Sequence, residues 1–200
     1  QDIELVRLFA AWVGNEIARR RDLRELEVAR TELERLATTD PLTGLYNRRY
    51  MENCLTKELE RAKRYGKSLI IGLLDFDDFK ELNDNYGHTT GDAALRLFAK
   101  VSSDMMRETD VIARWGDEEF LILMPETGAA GALKYLQRLS DRVRESDFQA
   151  EDARVELTMS IGLGIAEADD TLDSLVSRAD IAMYEAKQAG RNVSKLQNDR

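Results

Sequence analysis

The sequence predicts an α/β or α+β domain, with helices packed on a mixed sheet, preceded by a long coiled-coil-like helix. Two observations lead to this fold class. After about residue 39, apolar runs of strand length alternate with segments of helical periodicity. Before that point the chain has no Pro, a single Gly at position 14 and dense charge of both signs. Such a composition is typical of a long solvated helix.

Length and charge limit the function. The 200 residues, 43% of them hydrophobic, suffice for one well-packed core and an appendage. The net charge of -9 argues against a nucleic-acid partner, because phosphate backbones attract basic surfaces. The one cysteine, Cys54, cannot form an internal disulfide, and no apolar run reaches the length of a membrane span. We therefore expect a cytoplasmic protein with no membrane segment in this chain.

Residues 1–38 are predicted to form a signalling and dimerisation helix. Its second half spaces apolar residues by three and four, as in a coiled-coil seam: Leu26, Ala29, Leu33 and Leu36. An amphipathic helix folded back on its own domain is the alternative. The first half is too apolar for a free helix and weakly resembles the last helix of a GAF-like sensor: Leu5, Leu8, Phe9, Trp12, Val13 and Ile17. Because Gln1 lies inside the helical pattern, we expect an upstream sensor domain that this fragment lacks.

The remaining elements follow in order. Residues 39–44 break the helix because Pro41 disfavours a helical conformation for the residue before it, so a second domain is predicted over 39–200. A helix is predicted over 48–65 and a buried strand over 68–74, which ends on acidic residues. Another helix covers 93–106, and strands at 111–115 and 120–124 form a hairpin. A helix over 128–146, one or two strands over 155–166 and a helix over 172–189 complete the pattern.

Carboxylates lie at two places that the fold could bring together. Asp75 follows the buried strand, and Glu118 and Glu119 lie at the tip of the hairpin. Carboxylates on adjacent strands can hold divalent ions that bridge nucleotide phosphates. The sequence has no Gly-rich loop of the P-loop type, so a nucleotide here would depend on metal and isolated cations. Any one of these residues alone would be read as ordinary solvated charge.

Several stretches, in order and spacing, resemble the GGDEF diguanylate cyclases between residues 40 and 192. They read DPLTGLYNRR at 40–49, DFDDFKELND at 75–84, YGH at 86–88 with Gly91 and Asp92, RWGDEEF at 114–120, and AD, MY, AK and GRN between 179 and 192. The resemblance implies a polymerase-palm-like fold. It also implies that a homodimer condenses two GTP molecules into cyclic di-GMP and releases pyrophosphate.

The resemblance assigns roles to individual residues. Metal, Mg²⁺ or Mn²⁺, would be held by Asp75, Glu118 and the backbone carbonyl of Phe76, and Glu119 would help activate the attacking ribose 3′-hydroxyl. Asn83 and Asp92 would read the guanine edge. The GTP site would also include Phe79, Gly116, Lys187 and Arg191. The last two lie four residues apart, hence on one helix face, where both cations can reach phosphates.

An Arg-x-x-Asp pair upstream of the hairpin matches the family's inhibitory product site. Arg107 and Asp110 form the pair, and Arg138 on the following helix is a candidate second contact. An Arg can hold a guanine edge or a phosphate in bidentate fashion, while an Asp accepts from guanine. The resemblance therefore implies cyclic di-GMP as a second ligand.

One residue departs from the family signature. Asp117 stands where the pattern has its second glycine. Glycine at a tip allows positive φ and close approach to a ligand, whereas Asp adds negative charge near phosphate. The substitution predicts reduced GTP affinity or turnover. Two alternatives to the enzyme remain open: a cyclic di-GMP receptor with an impaired active site, and a dimerising output module without nucleotide chemistry.

Overall fold

The computed structural model describes residues 2–151 and 153–197, with every side chain in them except those at 2–6, 8–11, 13, 14 and 18. The chain divides into two compact units, residues 1–38 and 39–200. The first unit is one helix, α1 (Asp2–Thr38). The GAF-like resemblance rests mainly on Leu5, Leu8, Phe9 and Val13, whose side chains lie outside the described residues.

Surface ion pairs one helical turn apart support α1. Arg20 pairs with Glu16 at 2.8 Å, and Arg30 pairs with Glu34 at the same distance. Each such pair adds only a few tenths of a kcal/mol, roughly 0.3–0.5. The predicted seam is solvent-exposed in this single chain, with Leu33 67% exposed. The helix thus presents an uncovered apolar stripe.

The second unit contains five helices and eight strands within the described residues. The helices are α2 (Arg48–Tyr65), α3 (Phe79–Tyr86), α4 (His88–Met105), α5 (Ala129–Arg144) and α6 (Leu172–Gln188). The strands are β1 (Tyr46–Asn47), β2 (Leu69–Phe76), β3 (Val111–Arg114), β4 (Glu119–Pro125), β5 (Gln149–Ala150), β6 (Ala153–Arg154), β7 (Met159–Ile165) and β8 (Ser194–Leu196). Six strands form one sheet in the order β1-β3-β4-β2-β7-β8.

This sheet is mixed, as the sequence predicts. The four inner strands β3, β4, β2 and β7 pair antiparallel, while the short edge strands β1 and β8 pair in parallel with β3 and β7. The predicted α/β or α+β class with flanking helices is therefore confirmed. Five elements have no counterpart in the sequence prediction: α3, β1, β5, β6 and β8. The helix predicted over 93–106 begins five residues earlier, at His88.

Alternation along the inner strands divides the core between two faces of the sheet. Leu74 and Phe76 pack with Phe98 and Phe120 beneath α3, α4 and α5. Leu73 lies on the opposite face, against side chains of α2 and α6. Because side chains alternate along a strand, Asp75 belongs to the α6 face. The strand thus delivers its terminal carboxylate to the side where α6 lies.

Close contact between α6 and β7 depends on Gly162. A Cβ at this position would lie 2.0 Å from the Ala179 carbonyl oxygen and 2.2 Å from the Met183 nitrogen, both backbone atoms of α6. Any side chain would push the helix away from the sheet. Gly162 therefore sets the distance of α6 from the sheet and with it the reach of Lys187.

A buried polar network fixes the start of α6. Asp170, 5% exposed, pairs with Arg178 and accepts hydrogen bonds from the Ser174 hydroxyl and the Glu167 N–H, both at 2.7 Å. Arg178 also donates to the Ile165 carbonyl at 2.7 Å, at the end of β7. Burial raises the pKa of Asp170, but these hydrogen bonds outweigh it and leave the pKa below its usual range.

We expect Asp170→Asn to destabilise the second unit by about 2–3 kcal/mol at pH 7, because it leaves Arg178 partly buried without its counter-charge. Since the folded-state pKa is depressed, this contribution is complete above about pH 4 and is lost as pH falls through the folded pKa. Urea unfolding at pH 7 and at pH 3 measures both effects. The exposed neighbour provides the control, Asp169→Asn. Equal unfolding midpoints for both variants at pH 7 would contradict this role.

Candidate active site

Two acidic residues meet across neighbouring strands at one end of the sheet. Asp75 of β2 and Glu119 of β4 are directly opposite in the antiparallel register. Directly opposite side chains point to the same face of a sheet. Lys187 of α6 reaches this position, with its Nζ 2.8 Å from Asp75 Oδ1. The structure therefore brings together three predicted site residues that are far apart in sequence.

Burial and mutual repulsion make this site electrostatically unusual. Burial raises the pKa of Asp75, and Asp77 and Asp180 add to the shift, while Lys187 opposes it. The pKa of Glu119 is raised by burial and by the charges of Asp75 and Asp180. Burial, Asp75 and Asp117 likewise raise the pKa of Glu118. A cluster in which each carboxylate disfavours ionisation of the next would be stabilised by a bound cation.

Glycine is required at the first position of the hairpin tip. A Cβ on Gly116 would lie 2.5 Å from Glu119 Oε2, so a side chain there would displace the Glu119 carboxylate. Asp117 is not among the non-glycine residues with positive φ. Asp117 therefore does not adopt the left-handed conformation that would favour glycine, and Asp fits there without backbone strain. Its charge is the remaining difference from the family pattern.

A cavity of about 490 Å³ opens on the other side of the hairpin, next to α3 and α4. Four predicted site residues line it: Phe79, Asn83, Asp92 and Glu118. Asn83 Oδ1 is buried and accepts no hydrogen bond from the described residues. An unsatisfied buried acceptor is costly, so this oxygen is suited to a donor on a ligand. Gly116, Lys187 and Arg191 are not among the lining residues.

Sequence reasoning missed several residues that line this cavity: Lys80, Asp84, His88, Leu95 and Arg114. Arg114 has a defined structural contact. It pairs with Asp40 at 3.3 Å and donates to the Asp117 carbonyl at 2.8 Å, and thus links the start of the second unit to the hairpin tip. Asp40 and Arg114 are the first residues of two stretches that match the family, and their opposite charges are a signal that could have suggested this pair.

Arg191 is placed by the loop after β2. Its Nε lies 3.3 Å from Asp78 Oδ1, and the N–H of Asn192 donates to Asp77 at 3.0 Å. Asp77 also accepts from the hydroxyl groups of Ser160 at 2.6 Å and Thr158 at 2.9 Å. Asp77 therefore serves as a structural anchor between β2, β7 and the segment after α6, a role that sequence reasoning did not assign.

The donor set fits Mg²⁺ bound together with phosphates. Among the described residues, no three His, Cys, Asp or Glu side chains form a metal-binding group by themselves. Mg²⁺ is ordinarily held by one or two carboxylates, with water and substrate phosphates completing its shell. Asp75 and Glu118 provide two such carboxylates, and the Phe76 N–H lies 3.5 Å from the Glu118 carbonyl oxygen across the strands.

The predicted Arg-x-x-Asp site lies in the turn between α4 and β3. The Asp110 N–H donates to the Arg107 carbonyl at 3.1 Å, and the Asp110 side chain is buried. Arg107 and Arg138 are exposed and form no ion pair within the portion of the chain described here. Two unpaired guanidinium groups thus accompany one buried carboxylate.

Comparison with known proteins agrees with this arrangement. The family model described as "Diguanylate cyclase, GGDEF domain" matches residues 37–193. The chain belongs to this family. The GGDEF match covers both the carboxylate site and the cavity.

Individual relatives support the family membership. The chain is 41% identical over 160 residues to the response regulator PleD of Caulobacter vibrioides, covering 78% of this chain and 35% of that protein. It is 36% identical over 177 residues to the diguanylate cyclase DosC of Escherichia coli, covering 87% of this chain and 38% of DosC. The chain thus spans little more than a third of the length of these relatives.

Solved GGDEF structures share the fold. The coiled coil and GGDEF domain of DgcB from Caulobacter crescentus, solved in complex with c-di-GMP, superposes with a TM-score of 0.83 at 28% identity. It covers 94% of this chain and 98% of that one. The coiled-coil-like helix predicted before the GGDEF domain is consistent with that structure. No helix in the described part of the chain is long and apolar enough to cross a membrane.

Proposed function

We propose that residues 39–200 form a diguanylate cyclase domain that condenses two GTP molecules into cyclic di-GMP and releases pyrophosphate. One observation carries this proposal: Asp75 and Glu119 face each other across neighbouring strands, beside Glu118 and a cavity with an unsatisfied Asn83 oxygen. This places a carboxylate cluster next to a pocket suited to a nucleobase. The cytoplasm, where GTP is available, is the compartment we propose for the reaction.

Different residues bind the guanine base and the phosphates of GTP. Asn83 and Asp92 read the guanine edge, since amide and carboxylate oxygens accept from guanine N–H groups. Phe79 packs beside them in the cavity. Lys187 and Arg191 bind phosphates once they exchange their present carboxylate partners, Asp75 and Asp78. Charge-assisted contacts of this kind favour an anionic substrate.

The chemistry requires the carboxylates to act in different ways. Asp75, Glu118 and the Phe76 carbonyl would hold Mg²⁺ or Mn²⁺, which when bound offsets negative charge and polarises phosphate oxygens. Glu119 accepts the proton of the attacking ribose 3′-hydroxyl, as a positioned general base. Gly116 keeps space for the Glu119 carboxylate.

A second copy of the chain is needed for a complete reaction. If each domain presents one GTP, attack on the partner nucleotide requires two facing sites. The exposed seam of α1 supports a parallel homodimer contact, and an upstream sensor domain would act through this helix. Cyclic di-GMP bound at Arg107, Asp110 and Arg138 would inhibit the enzyme.

Turnover distinguishes the enzyme from the receptor alternative. The charge of Asp117 beside Glu118 favours that alternative, in which the chain binds cyclic di-GMP without making it. The full chain is incubated with GTP in Mg²⁺, in Mn²⁺ and in chelator, while product is followed by chromatography. Metal-dependent product formation supports the enzyme. Binding of cyclic di-GMP without product in either metal would support the receptor.

Removing the charge of Asp117 should increase the rate. Since the backbone at this position is unstrained, Asp117→Asn and Asp117→Gly should both raise turnover, by roughly 5-fold for about 1 kcal/mol of lost repulsion against phosphate. Initial rates of product formation measure the effect. An increase for the Gly variant alone would identify backbone approach as the obstacle. No increase in either would mean that the carboxylate does not hinder GTP.

A further inference from the structure

The Arg107 turn contains a buried carboxylate with unused hydrogen-bonding capacity. Asp110 is 8% exposed, and among the described residues the one side chain that donates to it is Thr109, whose hydroxyl lies at a long 3.4 Å. Burial raises the pKa of Asp110, and this shift is opposed by a hydrogen bond from the Arg107 backbone to the carboxylate and by the Arg107 charge. A carboxylate has about four acceptor positions, so Asp110 can accept further bonds.

A buried donor without an acceptor lies on the neighbouring helix. Tyr135 of α5 packs its ring against the core on the face shared by α4 and α5. Its hydroxyl is buried and makes no hydrogen bond to any described residue. Tyr135 precedes Arg138 by three positions, so both project from the same side of α5. An orphaned buried hydroxyl in a native fold requires an explanation.

Tyr135 and Asp110 lie on neighbouring parts of the fold, because α5 packs against α4 and Asp110 is in the turn that follows α4. Burial raises the pKa of Tyr135 to about 12, and the charge of Asp110 contributes, while Arg138 and Arg107 act in the opposite direction. The phenol is therefore protonated at any physiological pH and can donate. A spare donor and a spare acceptor, both buried and close enough to influence each other, form a complementary pair.

We propose that Tyr135 is a positioning residue of the Arg107 site, whose hydroxyl donates to the Asp110 carboxylate when a guanine-containing cyclic dinucleotide is bound. The inference rests on the inhibitory site of the proposed function. Asp110 offers both of its oxygens as acceptors to guanine N–H groups only while it is ionised, because protonation turns one oxygen into a donor. A hydrogen bond from Tyr135 favours the ionised form and aims the carboxylate.

The consequence is a change in the pH dependence of binding. Arg107 and Thr109 act on Asp110 directly, Tyr135 and Asp110 act on each other, and Arg138 acts on Tyr135. The affinity for cyclic di-GMP falls as pH drops through the Asp110 pKa, because Asp110 becomes protonated. Without the Tyr135 hydroxyl that pKa rises further, so affinity is lost at a higher pH.

Calorimetry with cyclic di-GMP on the full chain tests the proposal, with Tyr135→Phe as the variant and the exposed Tyr65→Phe as the matched control. We expect Tyr135→Phe to weaken binding at pH 7 by about 5-fold, the effect of one lost hydrogen bond, and to shift the affinity profile to higher pH. The thermal midpoint should not fall, because no described residue accepts a hydrogen bond from this hydroxyl in the free protein.

A parallel measurement on Arg107→Ala separates the two levels of the inference. If Arg107→Ala weakens binding while Tyr135→Phe changes neither affinity nor pH profile, the role of Tyr135 is overturned and the site stands. If Arg107→Ala leaves the affinity for cyclic di-GMP unchanged, there is no cyclic di-GMP site at Arg107 and Tyr135 has no role in one. Weaker binding by Tyr135→Phe with an unshifted profile would also overturn the positioning role.

Discussion

Glu119→Gln should reduce cyclic di-GMP formation by roughly 10²- to 10⁴-fold, the range expected when a general base is removed. The substitution keeps the shape of the side chain and its fit against Gly116, but Gln cannot take the proton of the 3′-hydroxyl. Folding should not suffer. Because Asp75 and Asp180 disfavour a charge at this position, the neutral variant should unfold at an equal or higher temperature.

Initial rates with GTP and Mg²⁺, together with thermal unfolding, measure both effects. An exposed glutamate at the end of α5 provides the matched control, since Glu145→Gln removes the same charge far from the site. Near-normal turnover by Glu119→Gln would refute the assignment of Glu119 as the base.

Deletion of residues 1–36 should lower specific activity most strongly at low protein concentration. A tether that holds two domains together gives each an effective concentration in the millimolar range. It raises the apparent affinity of the two domains for each other by about 10²- to 10⁴-fold. The truncated protein should therefore lose activity at nanomolar concentration and recover part of it as concentration rises. Activity per molecule measured over a dilution series tests this.

Point variants in the intact helix separate the seam from general effects of truncation. Leu33→Asp places a charge in the predicted seam, whereas Val28→Asp places one at an equally exposed apolar position outside it. Only Leu33→Asp should reproduce the concentration dependence. Specific activity that is constant on dilution of the truncated protein would rule out the helix as the dimerising element.

The long elements, and the placement of Asp75 and Glu119 at strand ends, could be predicted from sequence because local patterns determine them. The eight-residue run β2 is buried throughout and has Asp75 as its last but one residue, and the hairpin pattern puts Glu119 at the tip, where it begins β4. Periodicity also identified α2 and α6 within a residue or two of their observed ends. These features depend on residues close together in the chain.

Other features depend on tertiary contacts that no local pattern encodes. The helix α3 has eight residues, and Asp78 precedes it in the left-handed conformation without a side-chain cap, so it lacks the usual start signal. The strands β1 and β8 exist through parallel pairing of two or three residues at the sheet edges. The contact of Lys187 with Asp75 requires the close approach of α6 at Gly162.

The hairpin tip shows the same limit. The family pattern suggested that the glycine replaced by Asp117 serves backbone conformation, but the structure places the steric requirement at Gly116. That requirement comes from the side chain of Glu119, three residues away. Which of two adjacent glycines is needed follows from side-chain packing and could not be read from the motif.

The stoichiometry of pyrophosphate release distinguishes cyclic di-GMP synthesis from other reactions of GTP. Condensation of two GTP molecules through facing sites must release two pyrophosphates for each cyclic di-GMP formed. Both products are measured in one reaction of the full chain with GTP and Mg²⁺. We predict a constant ratio of two throughout the time course and no product in chelator. Binding of GTP with no release of pyrophosphate, or release of pyrophosphate without cyclic di-GMP, would show that this domain does not synthesise cyclic di-GMP.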